Sequence, residues 1–194
     1  MFYYLAIFSL KIYVNLLFKI KINGKENIPK KGGVIFCSNH SSNFDPVIVC
    51  TSINRKIHYF AKKELFCTKF KNYWMRQLCA FPVDREKTDL NALKFSINHL
   101  KNGGALGIFA QGTRVKEGDE PVEAKNGVSL FALKSGVVVV PIGISSSYKK
   151  GSKITVNIGK PISFEEYKNE KAKSNILNEM TNKIMTEVEK LIEK

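Results

Sequence analysis

The chain has 194 residues and a mass of 21.9 kDa, room for one domain with a true hydrophobic core and too little for two. Apolar residues at 44% and charged residues at 25% are globular proportions, which excludes disordered and collagen-like chains. Lys and Arg total 31 against 17 for Asp and Glu, a net charge of +14, so an anionic partner is expected: nucleic acid, membrane surface or phosphorylated substrate.

In chain order, Met1 to Phe18 is apolar apart from Ser9, Lys11 and Asn15. The runs on either side of Lys11 are too short for a transmembrane helix, which needs about 20 apolar residues. At helical spacing Lys11, Asn15 and Lys19 form one thin polar edge with Tyr4 and Phe8 above it, and the remaining surface is apolar. Such a helix suits the headgroup region of a bilayer, and interfacial attachment is the expectation. A helix packed on the domain's own core, or a true span or anchor, are the alternatives. With no basic stretch ahead of it and no small-residue cleavage site behind it, the segment fits a signal peptide poorly. Residues 1–21 are therefore set apart as a membrane-associating segment, ahead of a domain over residues 22–194.

Phe18, Ile20 and Ile22 alternate with Lys as a short strand, closed by Asn23-Gly24. Val34 to Cys37 follows Gly32-Gly33 as a continuous apolar run of the buried-strand type. Residues 46–53 and roughly 64–79 read as helices. Leu90, Leu93, Ile97 and Leu100 mark a helical stripe, capped by Thr88 or Asp89 and closed by Gly103-Gly104. Strands are expected over Ala105 to Ala110 and Val137 to Ile144, with a short helix near Val128 to Lys134 between them. Ile154, Val156 and Ile158 alternate as a further strand. From Ser174 onward an amphipathic helix carries Leu177, Met180, Ile184, Val188 and Leu191 on one side. Strands alternating with helices specify a single α/β domain, its mostly parallel mixed sheet flanked by helices on both faces.

Only four of the 31 cations are Arg, at positions 55, 76, 85 and 114. Arg is the residue suited to bidentate readout of phosphates and guanine edges, so base-specific DNA recognition is not expected. Nor is there a basic–aromatic stacking platform for single strands, and no nucleic-acid partner is assigned. The chain is rich in Asn, Ile and Lys, and genomic compositional drift is an equally simple source of part of the charge. Cys37, Cys50, Cys67 and Cys79 form no C-x-x-C pair, and the three His are scattered. Neither a zinc site nor a redox motif follows; buried reduced thiols are the expectation.

The chemistry-bearing residues cluster after strand ends, where ligands bind in open α/β sheets. Ser38-Asn39-His40-Ser41-Ser42-Asn43-Phe44-Asp45-Pro46 follows the first buried strand. Pro46 is preorganised for a first helical position and Asp45 is a preferred N-cap. Five residues of helix turn about 500°, so His40 and Asp45 meet only if the loop folds back onto the cap. A carboxylate on one imidazole nitrogen fixes the tautomer and frees the other as a base. A capping Asp beside an incidental loop His fits the spacing equally well. Phe81-Pro82-Val83-Asp84-Arg85 is a second cluster, and Phe109-Ala110-Gln111-Gly112-Thr113-Arg114 a third. There a glycine lets backbone amides approach an anion, and Thr and Arg add donors. Val137 to Gly143 is a buried strand broken by Pro141.

In this order the clusters resemble the glycerolipid acyltransferase family, in particular the 1-acylglycerol-3-phosphate acyltransferases, from about Ile22 to Pro161. N-H-S-S-N-F-D at 39–45 looks like the family's H-x-x-x-x-D motif, and F-P-V-D-R at 81–85 like its second. F-A-Q-G-T-R at 109–114 is similar to the third, usually F-P-E-G-T-R, and V-P-I at 140–142 matches the fourth. Lys62 sits where members commonly carry a basic residue near the acceptor phosphate. The third motif departs from the pattern at Ala110 and Gln111; Gln keeps hydrogen bonding but removes a charge beside the expected phosphate site.

The resemblance implies transfer of an acyl group from acyl-ACP or acyl-CoA to the free hydroxyl of a lysophospholipid, with lysophosphatidic acid the leading acceptor. His40 would be the general base and Asp45 its orienting partner. Lys62, Arg85, Gly112, Thr113 and Arg114 would hold the phosphate. No Ser or Cys stands in a G-x-S-x-G elbow, so direct attack without an acyl-enzyme is expected. The donor is a co-substrate, and no metal or resident cofactor is implied. The cytoplasmic face of the membrane, by peripheral or monotopic attachment, is the expected location. Another acceptor, such as glycerol 3-phosphate, and a non-catalytic membrane-surface binding protein are the alternatives.

Overall fold

The computed structural model describes residues 2–83, 89–114 and 124–192. Helix α1 spans Phe2–Leu17, and strand β1 (Lys19–Asn23) follows after one residue. β2 (Val34–Ser38), α2 (Asp45–Ser52), β3 (Ile57–Lys62), α3 (Lys69–Gln77) and β4 (Ala80–Val83) come next. α4 (Leu90–Lys101), β5 (Ala105–Phe109), α5 (Gly127–Ser135), β6 (Val138–Ser145), β7 (Lys153–Ile158) and α6 (Ser174–Ile192) complete the chain.

All seven strands form one sheet in the order β1-β7-β6-β2-β5-β3-β4. Every pairing is parallel except β6 with β7, as a mostly parallel mixed sheet requires. β2 lies at its centre with all five residues buried, because neighbours and helices cover both its faces. Crossovers, right-handed by the general rule for parallel strands, carry the chain outward from β2 to β3 and β4 through α2 and α3, then back to β5 and β6 through α4 and α5. Reversing the direction of travel places the second pair of helices on the opposite face.

The two faces enclose two clusters. Val14, Ile48, Val49 and Ile53 pack with Phe36, Val140 and Ile142 on one side. Leu100, Val128, Ala132, Met180, Ile184 and Val188 pack with Ile35, Leu106 and Val139 on the other. α1 belongs to the first layer: Tyr3 and Val14 are buried, and the Tyr3 hydroxyl accepts from the Ile57 N–H at 3.2 Å. The expected boundary between residues 21 and 22 falls inside β1. α1 is packed on the core and still carries Leu5, Phe8, Ile12 and Leu16 exposed on its outer side.

Several expectations need correction. Ile57–Lys62 and Ala80–Val83 are strands that the sequence patterns did not single out. The helix expected over 64–79 is a 3-10 turn (Lys63–Phe66) followed by α3. β6 is not broken at Pro141: it runs through to Ser145, and its ladder with β7 begins at Ile142. All four cysteines are free; Cys37 and Cys79 are buried, but Cys67 is exposed.

Candidate active site

β2 stops pairing at Ser38, yet the chain stays anchored for one more residue. The Asn39 amide accepts from the Ile144 N–H at 2.8 Å and donates to the Ile144 carbonyl at 2.9 Å. An Asn side chain offers the same donor and acceptor as a peptide group, so it extends the contact with β6 beyond the ladder. That places His40 at the carboxyl edge of the sheet.

Asp45 is the first residue of α2, and Phe44 holds the N-cap position without a side-chain bond. This corrects the capping role expected for Asp45. Its carboxylate turns back over the loop, where Oδ2 accepts from the N–H groups of Ser41 and Ser42, each at 2.7 Å. The same oxygen faces His40 Nδ1 at 2.8 Å, and Oδ1 accepts from the Tyr148 hydroxyl. The Asp45 side chain is wholly buried and that of His40 is 17% exposed. Four donors replace the water that a carboxylate loses on burial. Because the carboxylate accepts, Nδ1 carries the imidazole proton and Nε2 keeps its lone pair.

His40 is held from its flat side as well, stacked on Phe109 with 4.1 Å between centroids and 21° between planes. A cleft of about 220 Å³ opens beside it, lined by Tyr59, Val83, Phe109, Gly112 and Lys125 among others. Gly107 makes room for the Tyr59 ring on the wall of this cleft: a Cβ there would stand 2.2 Å from the ring. Gly112 takes φ +68 in the turn after β5, and its N–H donates to the Phe109 carbonyl at 2.9 Å. Arg114, exposed, donates to Asn43 Oδ1 at 3.0 Å and so joins this turn to the His40 loop. An oriented imidazole with a free nitrogen, beside a mainly apolar cleft and exposed cations, is equipped to take a proton from a hydroxyl.

The Acyltransferase family matches residues 19–145, about two thirds of the chain. The chain is 37% identical over 161 residues to the 1-acyl-sn-glycerol-3-phosphate acyltransferase of Bacillus subtilis (strain 168), covering 79% of this chain and 79% of that one. It belongs to the Acyltransferase family. The enzyme of the same name from Streptococcus pneumoniae (strain ATCC BAA-255 / R6) is 31% identical over 166 residues, 82% of this chain and 60% of its own. Among solved structures, the 1-acyl-sn-glycerophosphate acyltransferase PlsC of Thermotoga maritima shares the fold with a TM-score of 0.72 at 24% identity, covering 95% of this chain and 79% of that chain.

Within this acyltransferase fold the residues singled out by sequence are only partly assembled. His40 and Asp45 are in contact, and Gly112, Thr113 and Arg114 follow the neighbouring strand. Lys62 ends β3, exposed on the same edge and paired in register with Val83. Arg85 lies outside the described residues. The Gly112 N–H is already bonded within its turn, so any anion there meets the exposed Thr113 and Arg114 first. Gln111 has a different place from the one expected: its Oε1 accepts from the His40 N–H at 3.2 Å. A Glu carboxylate would accept that bond equally, which is why the departure from the family motif leaves the loop intact. Sequence reasoning did not assign Asn39, Phe109 or Tyr148 to the dyad's support. The first two open the motif blocks at 39–45 and 109–114; Tyr148 lies 103 residues from Asp45 and has no spacing signal.

Proposed function

We propose that this acyltransferase moves a fatty acyl group from a thioester donor, acyl-ACP or acyl-CoA, to the free hydroxyl of 1-acylglycerol-3-phosphate, giving phosphatidic acid. The observation that carries the reading is His40 Nδ1 bonded at 2.8 Å to a fully buried Asp45, beside an open cleft. His40 Nε2 takes the hydroxyl proton as the oxygen attacks the thioester carbonyl. The tetrahedral intermediate expels the thiolate, and the imidazolium returns the proton to it. Asp45 orients the ring and offsets its transient charge. Arg114, Thr113, Lys62 and Arg85 meet the acceptor phosphate, with Gly112 shaping the turn that carries the first two. The donor is a co-substrate, and no resident cofactor enters this scheme.

Attachment to the membrane surface is the second part of the reading. Among the described residues no helix is long and apolar enough to cross a bilayer. The large exposed apolar side chains concentrate on α1 and on the segment through α3, where Leu65, Phe70, Tyr73 and Trp74 lie open. Phe2 and Trp74 meet at 4.9 Å and join the two into one surface. Lys69, Lys71 and Arg76 stand among these rings, an interfacial pattern for an anionic leaflet.

A labelled-acyl assay across several lysolipids and glycerol 3-phosphate tests the chemistry. Product only from 1-acylglycerol-3-phosphate supports the assignment, and preference for another acceptor replaces it. Vesicle sedimentation tests the attachment. High salt screens charge but not insertion, so it should release little of the intact chain. Leu5→Ser with Leu16→Ser should release most of it. Substitution is cleaner than deletion here, because Tyr3 and Val14 of α1 are built into the core. Full release by salt alone would show electrostatic adsorption instead.

A further inference from the structure

We infer that Tyr148, in the loop between β6 and β7, is the positioning residue that sets the Asp45 carboxylate for its work on His40. The inference rests on His40 being the general base. The Tyr148 hydroxyl donates to Asp45 Oδ1, the oxygen that faces away from His40, while Ser41, Ser42 and His40 share Oδ2. The two oxygens thus have separate anchors, and among the described residues only Tyr148 holds the first. A carboxylate fixed at both oxygens cannot rotate about its last bond and draw Oδ2 off the imidazole.

The protein holds Tyr148 in place at a local cost. Its backbone takes φ +52, one of two non-glycine residues in the left-handed region among those described, a conformation that L side chains disfavour. Ser146 Oγ accepts the Tyr148 N–H at 2.9 Å and stabilises that turn. The ring lies nearly parallel to Phe44 at 6.3 Å and edge-on to Phe18 at 6.0 Å. The Gly151 N–H donates to the Leu17 carbonyl at 2.7 Å, tying the loop to the end of α1. Burial pushes the Tyr148 phenol far above its ordinary value, and the Asp45 charge adds to the rise. The hydroxyl therefore keeps its proton and acts as donor throughout the working range.

Removing that donor has a directional consequence. An Asp45 carboxylate with three donors instead of four is less compensated, and so favours the imidazolium of His40. The reaction needs the neutral ring, so the acidic limb of the pH–rate profile moves to higher pH. Among the described residues, the titratable and charged groups facing the pair are Tyr148, Tyr59 from β3, Lys125 ahead of α5 and Arg114 at the end of its turn. Tyr148→Phe changes only the first of these.

The experiment compares native protein, Tyr148→Phe and His40→Ala with 1-acylglycerol-3-phosphate across pH. The phenylalanine keeps the packing on Phe44 and Phe18. We expect Tyr148→Phe to lower kcat roughly 10-fold, the scale of one lost bond to a charged group. The acceptor KM should hold, and the acidic limb should rise by about one pH unit. Circular dichroism at each pH separates a moved limb from acid unfolding, because only a constant folded fraction lets the limb report the ring. An unchanged kcat and profile beside an inactive His40→Ala overturns the role of Tyr148 alone. A lower kcat with an unmoved limb reduces Tyr148 to packing and overturns it too. Full activity in His40→Ala removes the general base, and this inference with it.

Discussion

His40 and His58 stand at opposite edges of one sheet. At the carboxyl edge, His40 Nδ1 is bonded at 2.8 Å to a wholly buried carboxylate. At the amino edge, His58 lies 4.1 Å from the His99 ring, its buried Nδ1 without a hydrogen-bond partner among the described residues. Burial first, then the neighbouring His99 and Lys56, push the His58 imidazole down to about 4. Cations surround both rings: Arg114 and Lys125 near one, Arg55 and Lys56 near the other. What separates them is the anion. A carboxylate orients one ring and would offset a charge placed on it; without one, burial keeps the other ring neutral.

The largest expected effect sharpens that contrast. His40→Ala should reduce turnover by roughly 10²–10⁴-fold, the range of general-base catalysis, with thermal unfolding near that of the native chain. His58→Gln should leave turnover within about twofold, since His58 is the second residue of β3, at the far edge. If His58→Gln is the inactive variant and His40→Ala is active, the assignment of the two edges is reversed.

The arginines divide in the same way. Arg55 donates to the carbonyls of Pro29, Gly32 and Gly103 at 2.8 to 3.0 Å and ties three loops together at the amino edge. Among the described residues Arg114 reaches Asn43, and its side chain is exposed. Arg114→Ala should raise the acceptor KM about tenfold or more, matching a lost charge-assisted contact of about 1.5–3 kcal/mol. Donor KM and stability should change little. Arg55→Ala should do the opposite and cost about 2 kcal/mol of stability. A rise in donor KM alone for Arg114→Ala would move that guanidinium off the acceptor phosphate.

The same division explains what the sequence made legible. β2, β5 and β6 are buried on both faces, so their apolar runs stand out without any alternation. β4 is hidden because it is a four-residue edge strand that contains Pro82, tolerated only where one side of the ladder is open. β3 is hidden because His58 and Lys62 interrupt its apolar character. The scarcity of Arg marked positions 55, 76, 85 and 114 alike; among the described residues Arg55 serves the fold, Arg76 reaches Asn72 on its own helix and Arg114 reaches Asn43. The spacing of His40 and Asp45 left cap and pair unresolved. The loop resolves it by aiming two backbone N–H groups and one imidazole at a single oxygen. Tyr148 arrives from a distant loop, and no local pattern announces it.

The smallest expected effect belongs to the amino edge and concerns stability rather than turnover. His58 binds its proton at about 4 in the fold and near 6.5 in the unfolded chain. Above about pH 6.5 the ring is neutral in both states and contributes no pH dependence. Between about 6.5 and 4 the unfolded chain takes up the proton and the fold does not, so stability falls as pH falls. Below about 4 the slope from this group ends. Burial also lowers His99, which pulls in the same direction. The His58 shift by itself corresponds to about 3 kcal/mol; partial exposure of the ring to water reduces the expected loss to roughly 2 kcal/mol. Urea unfolding at pH 7 and at pH 4 measures it, with His58→Gln as the reference. Carboxylates that titrate over this range are common to both proteins, so the difference between the two slopes isolates His58. The glutamine variant should lose less stability on acidification by about that amount. Equal losses would mean that His58 is protonated as easily in the fold as in water, and the contrast between the two edges would then rest on His40 alone.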